Sequence, residues 1–375
     1  MEEEFICGTK SPARKLKHSN TLVLHDAFAF KGGGERLVQI LCRELEADLA
    51  FGYHNKDSFS LEELPGRLID LASASKLPFW RTLKRFNSFH KNTKFLSEYK
   101  NIIYSGQNSP LAISNHPKGK NIYYCFTPPR SIYDLNEVHL ASLPPLKRLT
   151  QNLYNAFFQP LYEKAIYQMD IIVADSKNVQ NRIRKFMGLE SIVIYPPCDT
   201  ERFSWIGQGD YYLSTARLMP YKRVDLIIKA FTKLPEKRLV IASTGPDETR
   251  LKQLAQGLKN IKFVGDISDQ ELQKLLGNAI ATIYIPKDED FGMSPVESMA
   301  AGKPVIGSGE GGLLETIIHG ETGWLSSSNP HHDELIQGII EINPKQATLM
   351  RESCEKRAMS FCTKVFIEKM REVID

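Results

Sequence analysis

No stretch of this 375-residue sequence holds the roughly 18 consecutive apolar residues that a membrane-spanning helix needs, so none is expected. The first twenty residues, MEEEFICGTKSPARKLKHSN, have no apolar core. They read as a polar tail ahead of the first strand rather than a secretory signal. Cysteine is sparse: Cys7, Cys42, Cys125, Cys198, Cys354 and Cys362 include no C-x-x-C spacing. That argues against structural zinc and fits a reducing compartment, so a cytoplasmic location is expected. Charge of one sign is also missing. Lys and Arg number 48 against 44 Asp and Glu, and a net +4 does not by itself argue for nucleic acid. There are no short repeats and no low-complexity blocks. What is present, 42% hydrophobic and 25% charged residues, suits a globular chain long enough for two domains.

Apolar runs alternate with helical patterns almost throughout. TLVLHDAF (21–28), NIIYSG (101–106), NIYYCF (121–126), DIIVADS (170–176) and SIVIYPP (191–197) predict buried strands. A helix is expected from Gly34 to Glu46. After a polar stretch at Gly207 to Asp210 the pattern restarts with YYLSTAR (211–217), RLVIAST (238–244), IKFVG (261–265), AIATIYIP (279–286) and PVIGS (304–308). Strand and helix in alternation predict parallel sheets covered on both faces. The restart predicts two such α/β units. Ligands of such sheets sit beyond the carboxyl ends of the strands, so the strand-end turns are where chemistry is expected.

Three strand-end turns are rich in functional groups. In HDAFAFKGGGER, His25 to Arg36, a strand ends, Gly32, Gly33 and Gly34 follow, and a helix begins. Backbone N–H groups there can approach a phosphate. The dinucleotide fingerprint fails, because Leu37 stands where its third glycine belongs. A flexible turn is the simpler alternative. In STARLMPYKRVD, Arg217 and Lys222 flank Pro220 after a strand. Two cations so placed can hold a diphosphate and neutralise charge on a leaving group, or they are solvated loop charges. In IYIPKDEDFGMSPVESMAAGKPVI, Glu289 lies in a loop, Gly292 permits a tight turn, and Met293 and Ser294 open a helix that carries Glu297 one turn in. Loop carboxylate, helix start and helix carboxylate can line one sugar nucleotide. A helix with an acid in its first turn is the plainer reading.

EDFGMSPVE, with Glu289 and Glu297 at its ends, resembles the E-x7-E motif of the retaining glycosyltransferases of family four. GGGER, ARLMPYKRVDLIIKAF, VADSKNVQNRIRKF, VIYPPCDTERF and FVGDISDQELQKLL are similar to further stretches of that family, in order along nearly the whole chain. The resemblance implies the GT-B architecture: two Rossmann-like parallel-sheet domains facing across a cleft. Residues 21–205 would form the acceptor-side domain and 206–355 the donor domain, with a C-terminal helix at 356–375 crossing back. Arg217 and Lys222 would bind the donor diphosphate, and Glu289 would hydrogen-bond the donor sugar. Phe291, Gly292, Met293 and Ser294 would give backbone contacts, and Glu297 would take the ribose hydroxyls. Gly33 and Gly34 would approach the phosphate from the other domain, with Ile267 at the base. The reaction implied is hexosyl transfer from a nucleotide sugar to a glycan or lipid-linked acceptor, with no cofactor. No metal is expected, although Asp288–Glu289–Asp290 could otherwise be read as a D-x-D site.

IYYCFTPPRSIYD resembles a family segment that often reads Y-C-H-T-P, and here Phe126 replaces the histidine. A phenylalanine side chain cannot hydrogen-bond to an acceptor, which leaves Phe126 and Arg130 as acceptor-side residues of open role. The wording is most like mannosyltransferases of surface-polysaccharide or lipid-linked glycan assembly, so GDP-mannose is the expected donor. A UDP-sugar enzyme and a catalytically silent nucleotide-sugar-binding paralogue are the alternatives. Residues 76–100 carry seven Lys or Arg, one Glu, and Phe79, Trp80, Phe86, Phe89 and Phe95. Either this segment touches an anionic membrane surface at the inner face of the cell membrane, or its aromatics pack inside while its cations face water. The same two readings apply to LYNAFFQPLYEKAIY, 153–167. No segment resembles a nucleic-acid-binding fold.

Overall fold

The structure, a computed structural model, describes residues 19–375 apart from residues 76, 77 and 142. Residues 1–18 of the expected polar tail lie outside the described residues, as do the side chains of Phe79 and Trp80.

Seven strands form the first sheet: β1 (Thr21–His25), β2 (Asp48–Phe51), β3 (Leu68–Asp70), β4 (Asn101–Ser105), β5 (Lys120–Cys125), β6 (Ile171–Ala174) and β7 (Ile192–Val193). Six form the second: β8 (Tyr211–Ser214), β9 (Arg238–Ile241), β10 (Ile261–Phe263), β11 (Thr282–Tyr284), β12 (Val305–Gly307) and β13 (Gly323–Leu325). Their spatial orders are β3-β2-β1-β4-β5-β6-β7 and β10-β9-β8-β11-β12-β13. Every pairing is parallel. The two parallel-sheet α/β units expected from the alternation and its restart are therefore present, as is the Rossmann-like character that the resemblance implies.

Strand period explains why the first sheet is covered on both faces. Leu22 and Leu24 of β1 enter one core with Ile102, Tyr104 and Tyr123, while Val23 enters the opposite core with Ile103, Ile122 and Tyr124. The second domain packs around Tyr212, Leu213, Val240, Ile283 and Ile306. Three strands had no counterpart in the sequence reading: β2, β3 and β13. Each has three or four residues, too few for a periodic signal. β2 also begins with a charge. Asp48 is fully buried because Arg67 and the Tyr99 hydroxyl donate to its carboxylate, at 3.0 and 2.7 Å. β7 is cut to two residues of SIVIYPP, as the two prolines cannot donate to a ladder.

At its end the chain changes domain. The helix Arg351–Met359 stays with the second domain, burying Cys354 and Ala358 in its core. Residues 360–362 make the crossing, where the Cys198 N–H donates to the Phe361 carbonyl at 2.8 Å. The helix Thr363–Ile374 then packs Phe366, Ile367 and Met370 against Leu37, Leu41 and Tyr124 of the first domain. Among the described residues no helix is long and apolar enough to cross a membrane.

Strand order reverses between β1 and β4 in one sheet and between β8 and β11 in the other. Crevices form at such points, beyond the carboxyl ends of the strands.

Candidate active site

The β8/β11 crevice gathers the three expected catalytic residues. Arg217 and Lys222 follow β8, and Glu289 follows β11. The Lys287 N–H donates to the Tyr221 carbonyl at 2.8 Å and ties the two loops together. The Lys222 ammonium donates to Glu289 Oε2 at 2.6 Å and to the Tyr284 hydroxyl at 2.9 Å. Burial by itself would lower the Lys222 pKa, but Tyr284 and Glu289 outweigh it and hold it above the ordinary lysine value. Lys222 is thus a permanent cation. Arg217 is exposed, and its guanidinium lies 5.7 Å from the centre of the Phe30 ring, across the cleft in the glycine loop. One cation is locked in place, and the other is free to close on an anion.

Two helix starts converge beside these cations. The helix Met293–Ala300 begins after Gly292, whose φ of +91° lies in the region that glycine tolerates, and no side chain caps it. Because Pro295 has no N–H, the open donors of this first turn are those of Met293 and Ser294. From the first domain the helix Gly33–Glu44 starts at Gly32, again without a side-chain cap. The approach is close: a Cβ on Gly33 would stand 2.8 Å from Met293 Sδ, and one on Gly34 would stand 3.3 Å from the Phe126 ring. Two uncapped N-termini plus Arg217 and Lys222 make a strongly anion-attracting space. Phe291 anchors this loop rather than facing the space. It is buried, stacked on Tyr195 at 5.5 Å and edge-on to Phe361 at 5.4 Å, which leaves its backbone for contacts. Glu297 lies 3.6 Å from Arg36 of the glycine loop. Burial raises its pKa, against the pull of Arg36. Ile267 is half-buried against the second core, two residues before Asp269, which pairs with Arg202 at 2.6 Å.

In the first domain, the Asp26 carboxylate accepts from the N–H groups of Gln107, Asn108 and Ser109 at 2.8 to 3.0 Å, joining the β1 and β4 loops. Beside it a cavity of about 370 Å³ is lined by His25, Glu35, Tyr53, Arg85, Phe126 and Thr127, among others. His25 is buried, with Nδ1 3.1 Å from the Ser105 hydroxyl and Nε2 unpartnered. Burial lowers its pKa, and Asp26 opposes that only in part, so the ring is neutral. Burial likewise raises the Glu35 pKa. Phe126 thus forms one apolar wall of a cavity whose polar groups include His25, Glu35 and Arg85.

Arg130 faces the other way. Its guanidinium donates to Asp288 at 2.8 Å and pairs with Asp134 at 2.8 Å, so it clamps the donor-side loop. Arg182, Ser176, Asn178 and Glu315 act beside it, and none was singled out from the sequence. Arg182 is paired with Asp290 and lies 2.8 Å from Asp288. The Ser176 hydroxyl donates to the Asp290 carbonyl at 2.6 Å, and Asn178 donates to the Glu289 carbonyl at 2.9 Å. Glu315 accepts the N–H groups of Lys177 and Asn178 at 2.8 and 2.9 Å. The signal was the start of VADSKNVQNRIRKF, a polar helix opening at a strand end. Its partners were hidden because they lie more than a hundred positions away.

Gly312, in GEGGLLET, completes the support. Its N–H donates to the Glu289 carbonyl at 2.8 Å. A Cβ there would meet the Asp290 carbonyl at 2.4 Å and Phe291 Cα at 2.5 Å. Backbone must therefore shift, and Glu289 with it. Gly312→Ala is expected to cut transfer about 100-fold in a steady-state assay, since shifts near 1 Å at reacting groups have that effect.

Two parallel-sheet domains with an anion-attracting site between their strand ends define the GT-B class. Residues 200–360 match the family model described as glycosyl transferases group 1. The chain is similar to the GDP-Man:Man(3)GlcNAc(2)-PP-Dol alpha-1,2-mannosyltransferase of Dictyostelium discoideum, at 24% identity over 280 residues, 65% of this chain and 55% of that one. It is also similar to the alpha-1,3/1,6-mannosyltransferase ALG2 of Candida glabrata, at 26% identity over 252 residues, 51% of this chain and 55% of that one. The chain therefore spans about half the length of the curated relatives it matches. In fold it is similar to the sucrose-phosphate synthase of Thermosynechococcus elongatus, with a TM-score of 0.77 at 18% identity, covering 94% of this chain and 98% of that one. The chain has the GT-B fold, and its relatives are glycosyltransferases, mannosyltransferases among them.

Proposed function

We propose that this chain transfers mannose from GDP-mannose to a glycan or lipid-linked glycan with retention of anomeric configuration. The observation that carries the reading is the meeting of two uncapped helix N-termini with Lys222, Glu289 and Arg217 at the β8/β11 crevice. The diphosphate lies against those N–H groups and the two cations. Glu289 accepts from donor-sugar hydroxyls, and Glu297 accepts from the ribose diol. The acceptor hydroxyl, held in the first-domain cavity, attacks the anomeric carbon on the face that the diphosphate leaves. The bond from that carbon to the phosphate oxygen breaks, the bond to the acceptor oxygen forms, and the hydroxyl proton passes to the departing phosphate. Positioning and electrostatics supply the rate, so no enzymic nucleophile is invoked. Both carboxylates of the D-x-D stretch are engaged by arginines: Asp288 by Arg130 and Arg182, Asp290 by Arg182. This supports transfer without a bound divalent ion, and activity is expected to persist in EDTA. The choice of mannose rests on the names of the relatives.

Calorimetry with GDP-mannose, UDP-glucose and UDP-N-acetylglucosamine tests the donor. GDP-mannose is expected to bind, and Arg217→Ala is expected to weaken it. Preference for a UDP sugar would overturn the donor assignment, and binding without any transfer would favour the silent nucleotide-sugar-binding paralogue. Proton NMR of the product then reads the anomeric configuration.

Glu297 makes the binding pH-dependent. An ionised carboxylate accepts from the ribose diol through both oxygens and more strongly than the acid does, and burial raises the Glu297 pKa. GDP affinity is therefore expected to fall as pH drops through that raised value, above where an ordinary glutamate titrates. Without ligand the sign reverses. A raised carboxyl pKa favours the fold most below the ordinary glutamate range, and that contribution is lost as pH rises through the folded value. In Glu297→Gln, calorimetry should show a weaker but flatter profile.

A further inference from the structure

The helix Pro145–Ile166 has an apolar face where a surface helix should be polar. Asn155, Phe158, Tyr162 and Ala165 are buried on one side. Leu146, Leu149, Leu153 and Phe157 follow spacings of three, four and four, and so share the opposite side. They are 75%, 57%, 64% and 54% exposed. A solvent-facing stripe of four large apolar side chains destabilises an isolated soluble protein and marks a contact surface.

What lies around the stripe identifies the contact. Exposed Lys147 and Lys164 belong to the same helix. The neighbouring helix Pro78–Lys91 meets it where Phe86 packs edge-on against Phe157, ring centres 5.5 Å apart. That helix and the turn after it add exposed Lys84, Lys91 and Lys94. Of the aromatics in 76–100, Phe89 is buried, and Phe86 and Phe95 pack on the core. The inward reading of that segment thus holds for these three, and the helix 145–166 presents an exposed apolar stripe of its own. Arg85 lines both the first-domain cavity and the recess beside Phe157. Among the described residues its guanidinium contacts Tyr53 and pairs with no carboxylate. An unpaired cation therefore stands on the path from stripe to cavity. A second copy of this chain docked here would set lysine against lysine, which opposes association. An anionic lipid surface satisfies both the apolar stripe and the cations.

We infer that the stripe Leu146, Leu149, Leu153 and Phe157, with its flanking lysines, seats this protein on an anionic bilayer surface. Arg85 then takes an acidic group of the lipid acceptor as it enters the cavity. The inference rests on the transferase reading only for the acceptor; the bilayer contact stands without it.

Flotation with vesicles of phosphatidylcholine alone, or mixed with phosphatidylglycerol, tests the contact. The wild type is expected to float with the mixed vesicles and about tenfold less with phosphatidylcholine alone. Leu149→Glu with Leu153→Glu is expected to lose binding about tenfold or more, while its thermal melt and its GDP-mannose calorimetry stay unchanged. Lys84→Glu with Lys147→Glu provides an independent variant that disturbs no apolar contact and should also stay in solution. Wild type that does not float with phosphatidylglycerol overturns the inference, as do variants that float as well as wild type. So does a stripe-dependent dimer by light scattering without vesicle binding. Vesicle binding without binding of any nucleotide sugar would uphold the inference and sink the transferase reading.

Discussion

Lys222→Ala is expected to lower turnover by about 10²–10³-fold, the range for loss of one preorganised charge donor. The ammonium sits 2.6 Å from Glu289 and 2.9 Å from the Tyr284 hydroxyl, and it remains protonated because those neighbours outweigh burial. On the proposed reading it does two things at once: it would keep Glu289 in position to accept from the sugar, and it would face the leaving phosphate as that gains charge. Alanine removes both and leaves the Glu289 carboxylate, 20% exposed, without its cation. The loss should appear in kcat more than in donor Kd, since Arg217 and the two helix starts still hold the diphosphate. Equal falls in both would mean that Lys222 acts by uniform binding. Lys222→Arg should rescue little, because the space between Glu289 and Tyr284 fits a single nitrogen.

Arg182→Ala is expected to damage both stability and transfer. The side chain is 8% exposed and joins Asp288 and Asp290 from the opposite domain, with Asp134 3.7 Å away. Asp175, buried nearby, has one unpartnered oxygen and a pKa raised first by burial and then by Asp290. Without Arg182, three carboxylates, Asp134, Asp288 and Asp290, share Arg130. Asp288 and Asp290 are each about a third exposed, so solvent screens part of the loss; a cost of about 1–3 kcal/mol should still lower the calorimetric melt by a few degrees. Asp288 adopts a left-handed φ of +48°, which these arginines help to maintain. Its release would move Glu289 and lower kcat/KM about 100-fold. Arg182→Ala with Asp290→Asn should recover part of the melt, because the like charge has gone. A double variant no more stable than the single one would show that packing, not charge, is what Arg182 provides.

The alternation of apolar runs with helical patterns, and the restart after Asp210, came directly from sequence. Parallel strands buried on both faces need continuous apolar runs, and such runs are visible without any contact information. The placement of Arg217, Lys222 and Glu289 was legible for a related reason: each lies a few residues beyond a strand end, where the fold class places ligands. Strand pairs of three residues, such as β3 and β13, were not legible, because their stability comes from neighbours rather than from their own pattern.

Tertiary structure alone decided three matters. It turned Arg130 toward Asp288, a partner 158 positions away, and so made an expected acceptor-side residue into a clamp across the cleft. It set Gly312 against the backbone of Asp290 and Phe291, so that a glycine in one loop fixes a carboxylate in another. It also divided the aromatic run 153–167 by helix face, burying Phe158 and Tyr162 while exposing Leu153 and Phe157. Sequence by itself determined the strand–helix order, the two-domain division and which residues stand at strand ends, since local pattern and burial period fix these. Which distant side chains meet, and which apolar face is left uncovered, depends on how the two domains close on each other. No local pattern encodes that closure.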